Sequence, residues 1–162
     1  MKTSVELVES MTEAEVENLM SRLKLVQSWV DEFGRAVGVH KTPRVRIAHS
    51  CVHYGPISHT VGVPALHLVT LDLANLRLVV AHEFGHSLRR WPSLFSWTTF
   101  ARMKEEVRAD RAAIRLTGAS IDAWETAVRA VMQIEHTDEI GSPDDALNEL
   151  TLRRKCLEVS RL

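Results

Sequence analysis

The chain has 162 residues, and its 20 basic against 21 acidic residues leave a formal net charge of −1. That length builds one core and not two independent ones, and a balanced charge with no Lys/Arg-rich tract gives no reason to expect nucleic acid or an anionic membrane as partner. No window approaches the roughly 20 consecutive apolar residues of a membrane span. The opening residues MKTSVELVES lack the apolar stretch of a secretory signal. Cys51 and Cys156 are too few and too far apart for a disulfide framework, so they read as free thiols in a reducing compartment. The expectation is a single cytoplasmic domain over 1–162, with 1–40 as an N-terminal helical segment.

In chain order, Thr12 to Glu15 spells a capping box, and Val16, Leu19, Leu23, Val26, Val30 and Phe33 follow at helical spacing. This predicts a long first helix from about Glu13 to Phe33, stopped near Gly34 and Gly38. Pro43 introduces Arg44 to His49, whose alternation predicts a strand. Residues 53–63, punctuated by Gly55, Pro56 and Gly62, read as a turn or loop. Ala65 to Leu71 reads as a further strand, apolar on both faces. Asp72 or Asn75 caps a second helix reaching about Arg90, ended by Trp91 and Pro92. After an aromatic-rich loop, a third helix spans about Phe100 to Leu116 with Gly118 as its cap. A fourth runs from Ser120 to about Ile134, and Ser142-Pro143-Asp144-Asp145 starts a last one.

The second helix carries His82-Glu83-Phe84-Gly85-His86. Residues four apart share a helix face, so both imidazoles can reach one ion, and imidazole nitrogen suits zinc. Glu83 stands beside the ion rather than on it, where its carboxylate can take a proton from an attacking water. The glycine lowers helix propensity by about 0.8–1 kcal/mol relative to Ala, which makes sense if another backbone packs close there. A metzincin continuation is excluded, because Arg89 and Pro92 stand where its Gly and His would be. On the third helix Glu106 and Asp110 are four apart and face the same way. One can complete the metal site while the other accepts a hydrogen bond from a ligand imidazole. Glu105 points about 100° away from Glu106 and matches less well. Two His and one carboxylate leave an open position for water, the arrangement of a catalytic zinc site.

Val80-Ala-His-Glu-Phe-Gly-His86 followed by Glu106-Val-Arg-Ala-Asp110 resembles the gluzincin pattern H-E-x-x-H then E-x-x-A-D. The nearest likeness is to the HtpX and CAAX prenyl endopeptidase family and the soluble minigluzincins, and it covers roughly Pro64 to Met132. The resemblance implies a zinc-dependent endopeptidase of α+β, zincin-like fold. A small mixed sheet with an antiparallel edge strand would pack on an active-site helix and a ligand-Glu helix, flanked by N- and C-terminal helices. It implies His82, His86 and Glu106 as zinc ligands, Glu83 as general base and Asp110 behind a ligand imidazole. A peptide or protein substrate would lie extended along Leu66, His67, Leu68, Val69 and Thr70. The family's His-Pro pair is replaced by Ser142-Pro143, leaving His136, Arg153 or Arg154 as candidates for the oxyanion role. Two other readings stay open. One is a regulatory peptidase of the ImmA/IrrE kind cutting a repressor partner, and the other is a zinc-stabilised binding domain without turnover. His49, Cys51 and His53 share a strand face by alternation but complete no recognised metal set. Trp91, Phe95, Trp97 and Phe100 read as core or lid packing.

Overall fold

The computed structural model describes residues 7, 9–88, 99–135 and 143–159. In order, the elements are α1 (Glu13–Val37), β1 (Arg44–Ala48), β2 (His53–Gly55), β3 (Thr60–Pro64), α2 (Ala65–Thr70), α3 (Leu73–Ser87), α4 (Thr99–Thr117), α5 (Ile121–Glu135) and α6 (Pro143–Val159). The architecture is α+β, mostly helical, with one small mixed sheet. No helix among the described residues is long and apolar enough to cross a membrane. Trp91, Phe95, Trp97 and His136 lie outside the described residues, and Phe100 is exposed at the start of α4.

α1 begins at the predicted capping box: Thr12 Oγ1 accepts from the Glu15 amide, and Glu15 returns a bond to the Thr12 amide. It runs past Gly34 and ends at Gly38, whose φ of 73° is the left-handed cap conformation that glycine adopts without steric cost. Gly34 is retained inside the helix for space. A Cβ there would fall 2.2 Å from Thr42 Cγ2.

The sheet order is β1-β3-β2, with β1 parallel to β3 and β2 antiparallel to it. Two expectations are corrected here. Residues 53–63 are not all turn, because β2 and β3 flank a tight hairpin within them. β3 hides its alternation behind Gly62, which lies opposite His53 in register. A Cβ on Gly62 would sit 2.5 Å from His53 Cε1, so the strand needs glycine at that crossing. Ala65 to Thr70, in contrast, is helix and not strand. A short apolar run buried on all sides fits either period. Here Ala65 and Leu68, three apart, face the core together, with His67 and Leu71 also buried. Arg22 of α1 then ties off α2, donating to the carbonyls of Val69 (3.3 Å) and Leu71 (2.5 Å).

The main core gathers Leu19, Val26, Val30 and Phe33 from α1, Val61 and Val63 from β3, and Leu76, Val80 and Phe84 from α3. A smaller cluster of Val107, Ile121, Trp124, Leu150 and Leu157 joins α4, α5 and α6. α3 lies between them with its most extensive contacts to α4. Gly85 makes that approach possible, since a Cβ there would stand 3.0 Å from both Cα and O of Ala109. The close backbone packing expected at this glycine is present.

A candidate metal centre between two helices

α3 starts at Asp72, whose side chain accepts from the Asn75 amide at 2.9 Å. Its apolar side is buried through Leu76, Leu78, Val79 and Val80. This burial fixes the rotation of the helix and turns His82 and His86 toward α4. The two rings meet edge to face with centroids 4.8 Å apart, and their Nε2 atoms stand 3.2 Å from each other. Across the Gly85–Ala109 contact, Glu106 brings Oε2 to 3.3 Å from His82 Nε2 and Oε1 to 3.8 Å from His86 Nε2. Among the described residues these three side chains form the one group able to converge on an ion.

The donor set fits a metal. His82 Nδ1 lies 2.8 Å from Asp110 Oδ1 and His86 Nδ1 lies 3.1 Å from Glu105 Oε1. A carboxylate only accepts, so each Nδ1 carries the proton, and each neutral ring then presents its Nε2 lone pair. Two lone pairs and a carboxylate within hydrogen-bonding distance of one another repel unless a metal ion, or a proton on one of the rings, lies among them. Ligand atoms about 2.1 Å from a tetrahedral ion stand about 3.4 Å apart, which matches the spacings here.

Electrostatics point the same way. Burial alone would lower the His82 pKa, but hydrogen bonds to Asp110 and Glu106, reinforced by the charges of Asp110 and Glu83, raise it to about 10. The surroundings of that ring therefore favour positive charge. Against burial, hydrogen bonds from His82 and Arg153 bring Asp110 down to about 2. Glu106 is likewise lowered despite burial, first by His82. Glu105 falls to about 2 against its own desolvation, held by Arg108 and His86.

Asp110 is wholly buried yet fully paired. It accepts from His82, from Trp124 Nε1 at 2.9 Å, and from Arg153 through Nε at 2.8 Å and Nη2 at 2.5 Å. Arg153 arrives from α6, lies over the Trp124 ring at 5.6 Å and places Nη1 3.6 Å from Glu106. Asp110 thus stands behind His82, at the ring face turned away from Glu106. Glu105 does the same for His86, a partnership the sequence reasoning missed. Its own clamp is Arg108, which donates to Glu105 at 2.6 and 3.0 Å and to the Gly85 carbonyl at 2.9 Å. The available signal was an acid with Arg three residues on, facing the second imidazole rather than the first.

Glu83 is largely buried, 9% exposed, and with His82 and Arg153 it lines a cleft of about 170 Å³ walled by Val52, Val79, Trp124 and Val131. The expected substrate strand is not beside it. Leu66 to Thr70 is helical, with His67 and Leu68 inside the core and the Val69 carbonyl bound by Arg22, so that segment offers no free strand edge. The edge nearest the site is β2, which packs on α3 and continues from Val52 at the cleft. Of the oxyanion candidates, Arg153 reaches the site, whereas Arg154 pairs with Asp122, Glu125 and Glu158. His53 Nδ1 contacts the Cys51 carbonyl at 3.0 Å, a local bond within the strand approach. Comparison with family models, characterised proteins and solved structures gives no match to this chain.

Proposed function

We propose that the chain is a zinc-dependent endopeptidase of gluzincin type, with His82, His86 and Glu106 as metal ligands and Glu83 as general base. The observation that carries this reading is the convergence of two Nε2 atoms and one carboxylate, each imidazole backed by its own acid. Two imidazoles and a carboxylate are the donor set of catalytic rather than structural zinc sites. When bound, zinc supplies Lewis acidity for a peptide carbonyl and lowers the pKa of its water to about 7. Glu83, one residue past a ligand and facing the cleft, accepts the proton of the attacking water and passes it to the departing amine. Arg153 holds positive charge at the same wall. A peptide would pair with the outer edge of β2 and run over the cleft, backbone bonds giving affinity and the cleft taking one side chain. A glutamate in the position of Glu83 has no use in a purely structural site, which weighs against the binding-domain reading.

The test compares wild type and Glu83→Gln on unfolded casein after zinc loading. Removing a general base lowers turnover by about 10²–10⁴-fold, while metal content stays at about one zinc per chain. Equal cleavage by both proteins would remove Glu83 from its role, and no cleavage by zinc-loaded wild type would defeat the peptidase reading.

A further inference from the structure

The cleft that His82 and Glu83 line is also lined by Glu135, on α5. Behind it lies His67 of α2, 2% exposed, with Nε2 3.4 Å from Glu135 Oε1. Neither ring nitrogen of His67 completes a hydrogen bond with a described residue. A buried ring left in that state is uncommon and calls for a reason. An unsatisfied buried ring and a cleft-lining carboxylate therefore meet at one point, and positive charge brought from the cleft gives Glu135 a partner.

The rest of the cleft completes the picture. Val52, Val79 and Val131 give it an apolar stem, and Glu83 adds a second acid. Among its described lining residues the one arginine or lysine, Arg153, is committed to Asp110. At about 170 Å³ the cleft exceeds the roughly 150 Å³ of a cavity that accepts benzene, so it has room for a long unbranched side chain. An aliphatic stem with a cationic tip matches apolar walls that end in a carboxylate.

We propose that Glu135, beside His67, makes this cleft a specificity pocket for a lysine-like side chain next to the bond that is cut. The assignment rests on the peptidase reading and gives it a substrate class: unfolded segments carrying a basic residue. Lysine fits better than arginine here, because a compact ammonium tip on a flexible stem adapts to a narrow cleft.

Short alanine-based peptides carrying lysine, norleucine or glutamate at each position in turn test this. They are incubated with zinc-loaded protein and the products identified by mass spectrometry. At one position flanking the cut, lysine should exceed norleucine about tenfold, the size of a charge-assisted hydrogen bond in a partly enclosed site. The ratio should fall to about one in Glu135→Gln and turn toward glutamate in Glu135→Arg. A lysine preference that survives Glu135→Gln, or norleucine matching lysine at every flanking position, overturns the assignment. If no peptide is cleaved, hydrolysis itself is refuted, and calorimetric titration of the same peptides onto zinc-loaded Glu83→Gln decides the pocket separately. Tighter binding of lysine than norleucine, lost when Glu135→Gln is added, upholds it. Equal binding of the two, or binding of neither, overturns it.

Discussion

The two imidazoles of the centre are held in opposite ways. His82 leans on Asp110, a carboxylate with no exposure whose partners come from α5 and α6 as well as α3. His86 leans on Glu105, nearer the surface, whose clamp Arg108 sits three residues along the same helix. One ring is thus fixed by the whole tertiary structure, the other by a local pair. A buried, fully bonded carboxylate is costly to disturb, because any lost charge leaves its partners desolvated and unpaired. A part-buried pair nearer the surface is replaced in part by water. The asymmetry predicts which half of the centre tolerates change.

The largest effect erases the comparison. His82→Ala or His86→Ala should each abolish stoichiometric zinc in the purified protein, since two remaining ligands do not hold the ion. Elemental analysis checks this, and full retention in both variants would refute the ligand assignment. Next, Asp110→Asn should weaken zinc affinity by about 10–100-fold and lower stability by about 3 kcal/mol, because it leaves Arg153 buried against a neutral group. Glu105→Gln should cost less than about tenfold in affinity and under about 1 kcal/mol. Competition with a metallochromic chelator measures both, and a larger loss at Glu105 would reverse the proposed asymmetry. Smaller again is Gly85→Ala. Its methyl group meets the Ala109 backbone at 3.0 Å, so α4 must shift, for a net loss of about 1–2 kcal/mol after the gain in helix propensity. Denaturant melts should show it, and a more stable variant would mean the two helices are not in fixed contact.

Acidity sharpens the contrast in the metal-free protein. The His82 pKa rises from 6.5 to about 10 on folding, so its stabilising contribution is complete below 6.5 and is lost as pH climbs through 10. Asp110 falls from 3.8 to about 2, so its contribution is complete above 3.8 and is lost as pH drops through 2. Chelator-treated protein should melt lower at pH 9 than at pH 6. Zinc-loaded protein should not, because the metal binds the deprotonated ring and alkaline pH favours it. Parallel melting curves for the two forms would contradict this.

The helices were legible because their signals are local. The capping box at Thr12, the Asp72 cap and the two glycine stops at Gly38 and Gly118 lie where the chain's own periodicity places them. Four-residue spacing likewise brought out His82 with His86 and Glu106 with Asp110. Two kinds of information were out of reach. Ala65 to Leu71 is apolar on every face, and a run of that length obeys strand and helix periods equally well. Judging Glu105 by its angle from Glu106 assumed a single target, whereas the imidazoles stand one turn apart and two successive carboxylates serve different rings. Arg153, 43 residues from Asp110, has no spacing rule that could link them. β2 was hidden for another reason, since three residues that end on Gly55 and run into Pro56 look like a turn until Gly62 is seen to make room for His53.

Arg153 also sets an order of events at the ribosome. His82, Glu83 and His86 are synthesised early, and Glu106 and Asp110 soon after, so every metal-binding atom exists in the nascent chain before α6 does. Until residue 153 emerges, however, Asp110 has no guanidinium to offset its burial, and only His82 and Trp124 are there to bond it. Arrival of α6 brings the guanidinium that offsets the interior acid, so a chain interrupted before it would contain all three ligands and lack the charge that holds Asp110 behind His82.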